Sequence, residues 1–226
     1  MSDINLPQAD LEITVKDRDG NIVYQQEGPS HSWVKNFYQL IYCQCAGVHA
    51  TTTTYSTHFL DLSGTTLASN FAGGGYDYTT PFGWDYDSIG SDARGLWIEG
   101  YRSDTGCQVG TGTGLTTESF TDYTLDGICK SGTDANCFVF TVGTRLITTS
   151  TAGTVLKHKI DRTFTNNSGN TIAVTESGLY GRINIWSSVY NIMFNRDTFG
   201  TINVANGNSL YVAYTIKLTL PYAIHS

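Results

Sequence analysis

Acids and aromatic rings alternate in two short stretches of this chain, Tyr76-Asp77-Tyr78 and Trp84-Asp85-Tyr86-Asp87. Flat rings stack on sugar faces and carboxylates accept hydrogen bonds from hydroxyls, so Tyr76, Asp77, Tyr78, Trp84, Asp85 and Tyr86 suit a carbohydrate-binding surface. Tyr and Trp are also enriched where proteins meet, so the same residues suit contact with another subunit. A third reading needs no ligand: an ordered loop packing on its own aromatics. Two carboxylates drawn from Asp77, Asp85, Asp87 and Asp92 would flank a sugar bond in a glycosidase, but closeness in sequence does not set the separation that chemistry requires. Asp77, Asp85 and Asp87 also offer oxygen ligands to calcium, yet their spacing does not match the regular calcium-binding loop.

No other residues form a catalytic set. The five histidines, His31, His49, His58, His158 and His225, lack paired metal-ligand spacing. His158 lies on an alternating strand and reads as a surface or hydrogen-bonded side chain. No Gly-x-Ser-x-Gly elbow presents a serine nucleophile. The run Val109-Gly-Thr-Gly-Thr-Gly lacks the Gly-Lys-Ser/Thr ending of a phosphate-binding loop and is not followed by a helical pattern, so it reads as a turn in a β protein. Five cysteines, Cys43, Cys45, Cys107, Cys129 and Cys137, leave at least one unpaired within the chain. Cys107, Cys129 and Cys137 share one polar region and are candidates for a bridge formed in an oxidising medium; the alternative is buried thiols. Cys43-x-Cys45 with His49 lacks the spacing of a structural zinc site. The reading is a non-enzyme without cofactor or metal.

The elements that hold these residues are mostly strands. In 154–220, Leu156, His158, Ile160, Arg162 and Phe164 alternate, and Thr165 to Asn170 is a cluster of turn formers. Ile172 and Val174 resume the alternation. After Asn206-Gly207-Asn208, Leu210, Val212, Tyr214, Ile216, Leu218 and Leu220 fall on one face. Only an extended chain puts residues i, i+2 and i+4 on one side. Leu210, Val212, Tyr214, Ile216 and Leu218 are therefore expected in the core, with Tyr211, Thr215 and Lys217 facing solvent or a subunit. The Asn-Gly turn is expected to set the register of this strand.

Near the start, residues 1–9 read as a polar leader. Leu11, Ile13 and Val15 alternate, Asp17-Arg18-Asp19-Gly20-Asn21 turns, and Ile22 and Val23 resume, which is a hairpin signal. Trp33, Phe37, Leu40 and Ile41 follow helical spacing, with Ser30 or Ser32 to cap, so a helix is expected over 32–45. Residues 46–105 read as an irregular, aromatic-rich insertion broken by Gly64 and Gly73-Gly74-Gly75, with a strand near Leu96, Ile98 and Tyr101. One helical turn is expected at Thr121–Leu125. Phe138, Phe140 and Val142 alternate as a strand that Arg145 to Thr148 extends.

Composition agrees with these elements. Charged residues are 15% of the chain's 226, against roughly 25% in typical soluble proteins. Gly, Thr, Ser and Asn fill the gap and favour strands and tight turns. The net charge is −7, which argues against a nucleic-acid backbone as partner. No apolar run is long enough to span a membrane as a helix. The N-terminus has neither the basic start nor the apolar run of a secretory signal, so synthesis and assembly in a cytoplasm are expected. The expected architecture is a single all-β domain over 1–226. It is an antiparallel β-sandwich or jelly roll of about eight strands, with one N-terminal helix and a long loop insertion at about 46–105.

Four stretches resemble a family of virion structural proteins encoded by tailed bacteriophages and archaeal viruses. They are Ser30-His-Ser-Trp-Val-Lys-Asn-Phe; Val109-Gly-Thr-Gly with Asp122-Tyr-Thr-Leu125; Arg162-Thr-Phe-Thr-Asn-Asn-Ser-Gly through Val174-Thr-Glu-Ser-Gly-Leu-Tyr180; and Arg196-Asp197 with Ile202-Asn-Val-Ala-Asn-Gly-Asn-Ser-Leu. The 46–105 insertion has no counterpart in that pattern. The resemblance implies a particle component, capsid decoration or vertex protein or part of a tail, carrying no catalytic residues. Its partners would be copies of itself and other virion proteins. The competing expectation is an adhesin that binds host glycan through the loop at 76–87.

Overall fold

The computed structural model describes residues 7–30, 32–39, 59–67, 96–97, 105–113, 117–140, 145–149, 154–185 and 188–219. Its strands are β1 (Gln8–Lys16), β2 (Ile22–Pro29), β3 (Phe59–Leu60), β4 (Thr66–Leu67), β5 (Leu96–Trp97), β6 (Gly106–Gly110) and β7 (Lys130–Ser131). They continue with β8 (Cys137–Phe140), β9 (Arg145–Thr149), β10 (Val155–Thr165), β11 (Ile172–Ile185), β12 (Ser188–Val204) and β13 (Ser209–Thr219). This exceeds the expected count because several strands have only two residues, too short for a period of two to register. One sheet runs β2-β1-β13-β10-β8-β7, with β9 also on β10; a second runs β12-β11-β5, with β6 also on β11. The two pack face to face as an all-β sandwich. Their shared core holds Leu11, Ile13 and Val15 of β1, Ile160 and Phe164 of β10, and Leu210, Val212 and Tyr214 of β13. Cys107 and Val109 of β6, Ile172, Val174 and Leu179 of β11, and Ile202 and Val204 of β12 complete it from the other sheet. The strand order alone does not make this a jelly roll.

The long alternating stretch is divided between the sheets. β10 and β13 lie side by side in the first, Val155 opposite Thr219 through Thr165 opposite Ser209. β11 and β12 pair with each other in the second. The two chain segments that cross between sheets, 166–171 and 205–208, are bound together. Asn166 N donates to Asn208 O at 3.0 Å and Gly207 N to Asn166 O at 2.6 Å. The fully buried Asn166 side chain donates to Asn170 O and Val204 O, both at 2.7 Å. Ser168 N donates back to Asn166 Oδ1 at 3.0 Å. Asn206-Gly207 is thus a turn, as Gly207 at φ +87° requires, but it joins two sheets rather than two paired strands. The register of β13 comes from its neighbours β1 and β10. Asn166→Ala removes the side-chain donor to the buried Val204 carbonyl and is expected to cost about 1–3 kcal/mol in urea unfolding.

β13 keeps its expected inner face at Leu210, Val212 and Tyr214, while Ile216 is partly buried against the core. Its other face is half-covered by polar pairs, not bare. Tyr211 Oη donates to Asp161 at 2.9 Å, Lys217 pairs with Asp10, and Lys159 pairs with Glu12 at 2.8 Å. Leu210→Ala is expected to cost about 2–5 kcal/mol. Lys217→Ala, which loses a partly exposed ion pair, should cost at most about 1 kcal/mol. Chemical denaturation of the two variants compares them directly, and equal losses would mean that both faces are buried.

Other expectations change in detail. The leader ends sooner than read, because β1 already includes Gln8 and Ala9. Helical residues are 35–39, and the remainder of the expected 32–45 helix lies outside the described residues. Neither serine caps it: Ser30 Oγ donates to Asp197 at 2.8 Å and Ser32 Oγ contacts Glu118. Trp33 and Phe37 do share a face and stack, with centroids 3.9 Å apart. Residues 121–125 form no helical turn. Asp122 instead closes a turn onto Ser119, N to O at 3.0 Å, and its carboxylate accepts from Ser119 N at 2.8 Å. Most of the 46–105 insertion lies outside the described residues; within it are the β3–β4 hairpin and β5, which pairs with β11.

Candidate functional site

Tyr76, Asp77, Tyr78, Trp84, Asp85 and Tyr86 all lie outside the described residues, as do Asp87 and Asp92. Cys107, Cys129 and Cys137 stand as three free thiols. Cys107 and Cys129 point into the shared core, and burial pushes each thiol up to about 12. Both stay protonated near neutrality, and a protonated thiol is a poor nucleophile for disulfide exchange. Cys107 Sγ donates to Ile160 O at 3.3 Å. Phe138 turns inward from β8, so the preceding Cys137 lies on the opposite face. Val109 and Gly110 end β6, and Thr111 and Gly112 follow as the turn leaves the sheet.

The residues that do converge were not joined by any sequence motif. On the outer face of the second sheet, Arg196 of β12 reaches Glu176 of β11. Its Nε and Nη2 donate to Glu176 Oε2 at 3.0 and 2.8 Å. Nη1 donates to Asp122 Oδ2 at 2.7 Å. The Arg196 side chain is fully buried and that of Glu176 is 2% exposed. Burial opposes the charge on Arg196, but the hydrogen bonds to Asp122 and Glu176 outweigh it and hold the guanidinium above its usual range. For Glu176 burial is the larger influence, and its carboxyl is raised despite Arg196. Glu118 extends the cluster, accepting from Thr198 N at 2.8 Å and contacting Ser32. Three distant parts of the chain are thereby fixed to one sheet face: the approach to the helix, the 117–127 loop and strands β11–β12.

Close backbone approach makes this possible. A methyl group added at Gly112 would sit 2.6 Å from Asp126 Cβ and 2.8 Å from Glu176 Oε1. Thr175 Oγ1 donates to Gly112 O at 2.7 Å and keeps the loop in place. Gly112→Ala is expected to destabilise by about 1–3 kcal/mol through overpacking, read as a lowered midpoint in thermal unfolding. An unchanged midpoint would show that the loop is not held against Glu176. Beneath the loop, Leu125, Val34, Tyr180 and Met193 form a second apolar cluster, and Tyr180 Oη accepts from Leu125 N at 2.8 Å. Across the sheet, a polar seam faces the core. Tyr214 Oη and Ser177 Oγ are 2.7 Å apart, and Asn195 Nδ2 donates to Ser30 Oγ at 2.7 Å.

The sheet edges differ in how they are closed. The middle of β12 is covered: Trp33 bridges to Asn195, Val34 N donates to Phe194 O at 2.9 Å, and Arg196 N to Ser32 O at 3.1 Å. At the edge of the first sheet, β2 is exposed along nearly its whole length, on both faces. Ile22 is 55%, Val23 56% and Tyr24 37% exposed. No described strand pairs with its outer side.

Among the described residues these features define an all-β sandwich braced by a buried ion-pair cluster, with one edge strand, β2, exposed and unpaired on its outer side. Arg196 ties Glu176 Oε2 to Asp122, which suits holding loops in place. Among the described residues no three His, Cys, Asp or Glu side chains are grouped to hold a metal ion, and no helix is long and apolar enough to cross a membrane. Compared with protein-family models, curated proteins and solved structures, the chain matches none.

Proposed function

We propose that this chain is a virion structural protein, a capsid decoration or vertex protein or a tail component, which assembles with copies of itself and other particle proteins. The observation that carries this reading is the exposed β2 edge, on whose outer side no described strand pairs. Its chemistry is that of a contact surface rather than of a reaction centre. Large apolar side chains exposed on both faces of one strand are a cost to an isolated molecule and a benefit to an assembled one. The four stretches that resemble virion proteins support the same reading, as does the low charge fraction. Assembly takes place in the host cytoplasm, and the working location is the particle. Purified particles from a host producing the chain, analysed by quantitative mass spectrometry and particle imaging, should contain it at a fixed copy number. Its absence from washed particles overturns the proposal. The adhesin reading rests on the rings and acids of Tyr76 to Tyr86 and predicts saturable binding on a glycan array, abolished by Trp84→Ala.

A further inference from the structure

We infer that β2 is a self-association edge, where a second copy of this chain adds its own β2 antiparallel across a two-fold axis. The geometry of the β1–β2 ladder shows which groups are available. Ser30 N donates inward to Ala9 O at 2.8 Å, and Leu11 stands opposite Gly28 and Ile13 opposite Gln26. Pairs alternate along an antiparallel ladder, so Gly28, Gln26 and Tyr24 direct their backbone groups to β1, while Gln25, Glu27 and Pro29 direct theirs outward. Proline, which has no N–H to offer, thus occupies an outward position at the end of the strand, where it is tolerated. A register shift between Val15 and Lys16 leaves Val23 without a partner on β1.

The features that keep exposed strands apart are confined to its ends: Pro29 closes one end, the register shift at Val23 lies near the other, and the eight-residue strand carries a single charge at Glu27 and no lysine. The opposite rim of the same sheet is β7, two residues long and beginning with Lys130, and the middle of β12 is already covered. A second copy presents the same uncovered, lysine-free strand, so two β2 edges offer each other matching outward backbone groups about a two-fold axis. Centring the two-fold on Gln25 places Gln25 opposite its copy and Glu27 opposite Val23 of the other chain. The outward donor and acceptor of Gln25 are then satisfied by its copy, and Val23 and Tyr24 gain Glu27 and Gln26 of the other chain as cross-strand neighbours. The two Glu27 carboxylates fall on opposite sides of the axis. Centring on Glu27 would set them face to face, which is unfavourable.

The test uses the isolated full chain, so its failure leaves the particle role to be judged on particles, and the reverse holds too. Sedimentation should show a dimer. Gln25→Pro removes the central outward N–H without touching the β1–β2 ladder, so it should give a folded monomer with the native far-UV circular dichroism spectrum and an unfolding midpoint that no longer depends on protein concentration. Gln25→Cys provides a second reading that does not depend on that variant folding. Opposed residues of a hydrogen-bonded pair lie about 5.5 Å apart at Cα, within the roughly 4.4–6.8 Å that a disulfide spans. Glutathione disulfide should therefore join two chains, being reduced to two thiols as the two cysteines are oxidised, and the native sequence should stay uncrosslinked. A native chain that is monomeric at its highest soluble concentration overturns the inference. So does a dimer that survives Gln25→Pro, or a Gln25→Cys dimer that fails to crosslink. A monomer whose β2 instead captures a different particle protein also overturns the second copy as occupant.

Discussion

Replacing Arg196 with methionine is expected to cost about 3–5 kcal/mol of unfolding free energy, the usual effect of removing one partner from a buried ion pair. Arg196 supplies both hydrogen bonds to Glu176 Oε2 and the 2.7 Å contact to Asp122. Without it, Glu176 remains in a wall that almost no water reaches. The carboxyl is already raised above its usual 4.5 by burial, and loss of the guanidinium raises it further. A carboxyl raised on folding binds its proton more tightly in the folded state. The deficit of the variant is therefore smallest below pH 4.5 and grows as pH rises through the raised folded value. Adding Glu176→Leu should recover most of the loss, because an apolar pair of similar volume does not carry the desolvation penalty. A double-mutant cycle by urea unfolding measures the coupling. A single-variant loss under about 1 kcal/mol, the value of an exposed pair, would mean that water reaches the cluster.

Phe164→Ala should have an effect of similar size, about 3–5 kcal/mol, by opening a cavity in the shared core. Phe164 is fully buried on β10 and meets two rings edge-on: Phe138 at 5.8 Å and 69°, and Phe140 at 5.0 Å and 84°. Such pairs contribute beyond their buried area. Phe140 lies partly exposed under the Arg162 guanidinium, 5.5 Å from its ring centroid, so Phe140→Ala should cost clearly less. Urea titration of both variants gives the comparison, and a larger loss at Phe140 would relocate the core away from β10.

Much of the scaffold was readable as alternation. Leu11, Ile13 and Val15, then Ile160 and Phe164, then Leu210, Val212 and Tyr214 all alternate along strands and all reach the core. Alternation identifies a strand and its inner face, because both follow from the pleat. It does not identify the neighbour. Asn206-Gly207 shows this: a glycine with positive φ marks a turn, but the same turn can reverse a hairpin or carry the chain to another sheet. The ion-pair cluster had no local signal at all. Ser32, Glu118, Asp122, Glu176 and Arg196 are scattered along the chain and meet only through the sandwich. The one hint was Arg196-Asp197 inside an otherwise uncharged strand, and the resemblance noted those two residues without assigning them contacts. Exposure was equally hidden at β2. Ile22 and Val23 are as apolar in sequence as Ile13 and Val15, yet they stand exposed on the outermost strand of the first sheet.

The position of β13 has a consequence for the order of events at the ribosome. It sits between β1 and β10, with Gln8 opposite Lys217, and Arg18 of the first turn bonds to Asn206 across 188 residues of chain. The first sheet therefore cannot close until almost the whole described chain has been made. At synthesis rates of about 5–20 residues per second, the β1–β2 hairpin waits roughly 10–40 s for its inner neighbour. During that time both sides of the hairpin are open: the inner edge of β1 that will receive β13, and the outer edge of β2, on which no described strand pairs afterwards. Non-local pairing of this kind slows folding. Nascent chains on one polysome carry the same two open edges side by side, and that is when holdase chaperones have most to protect.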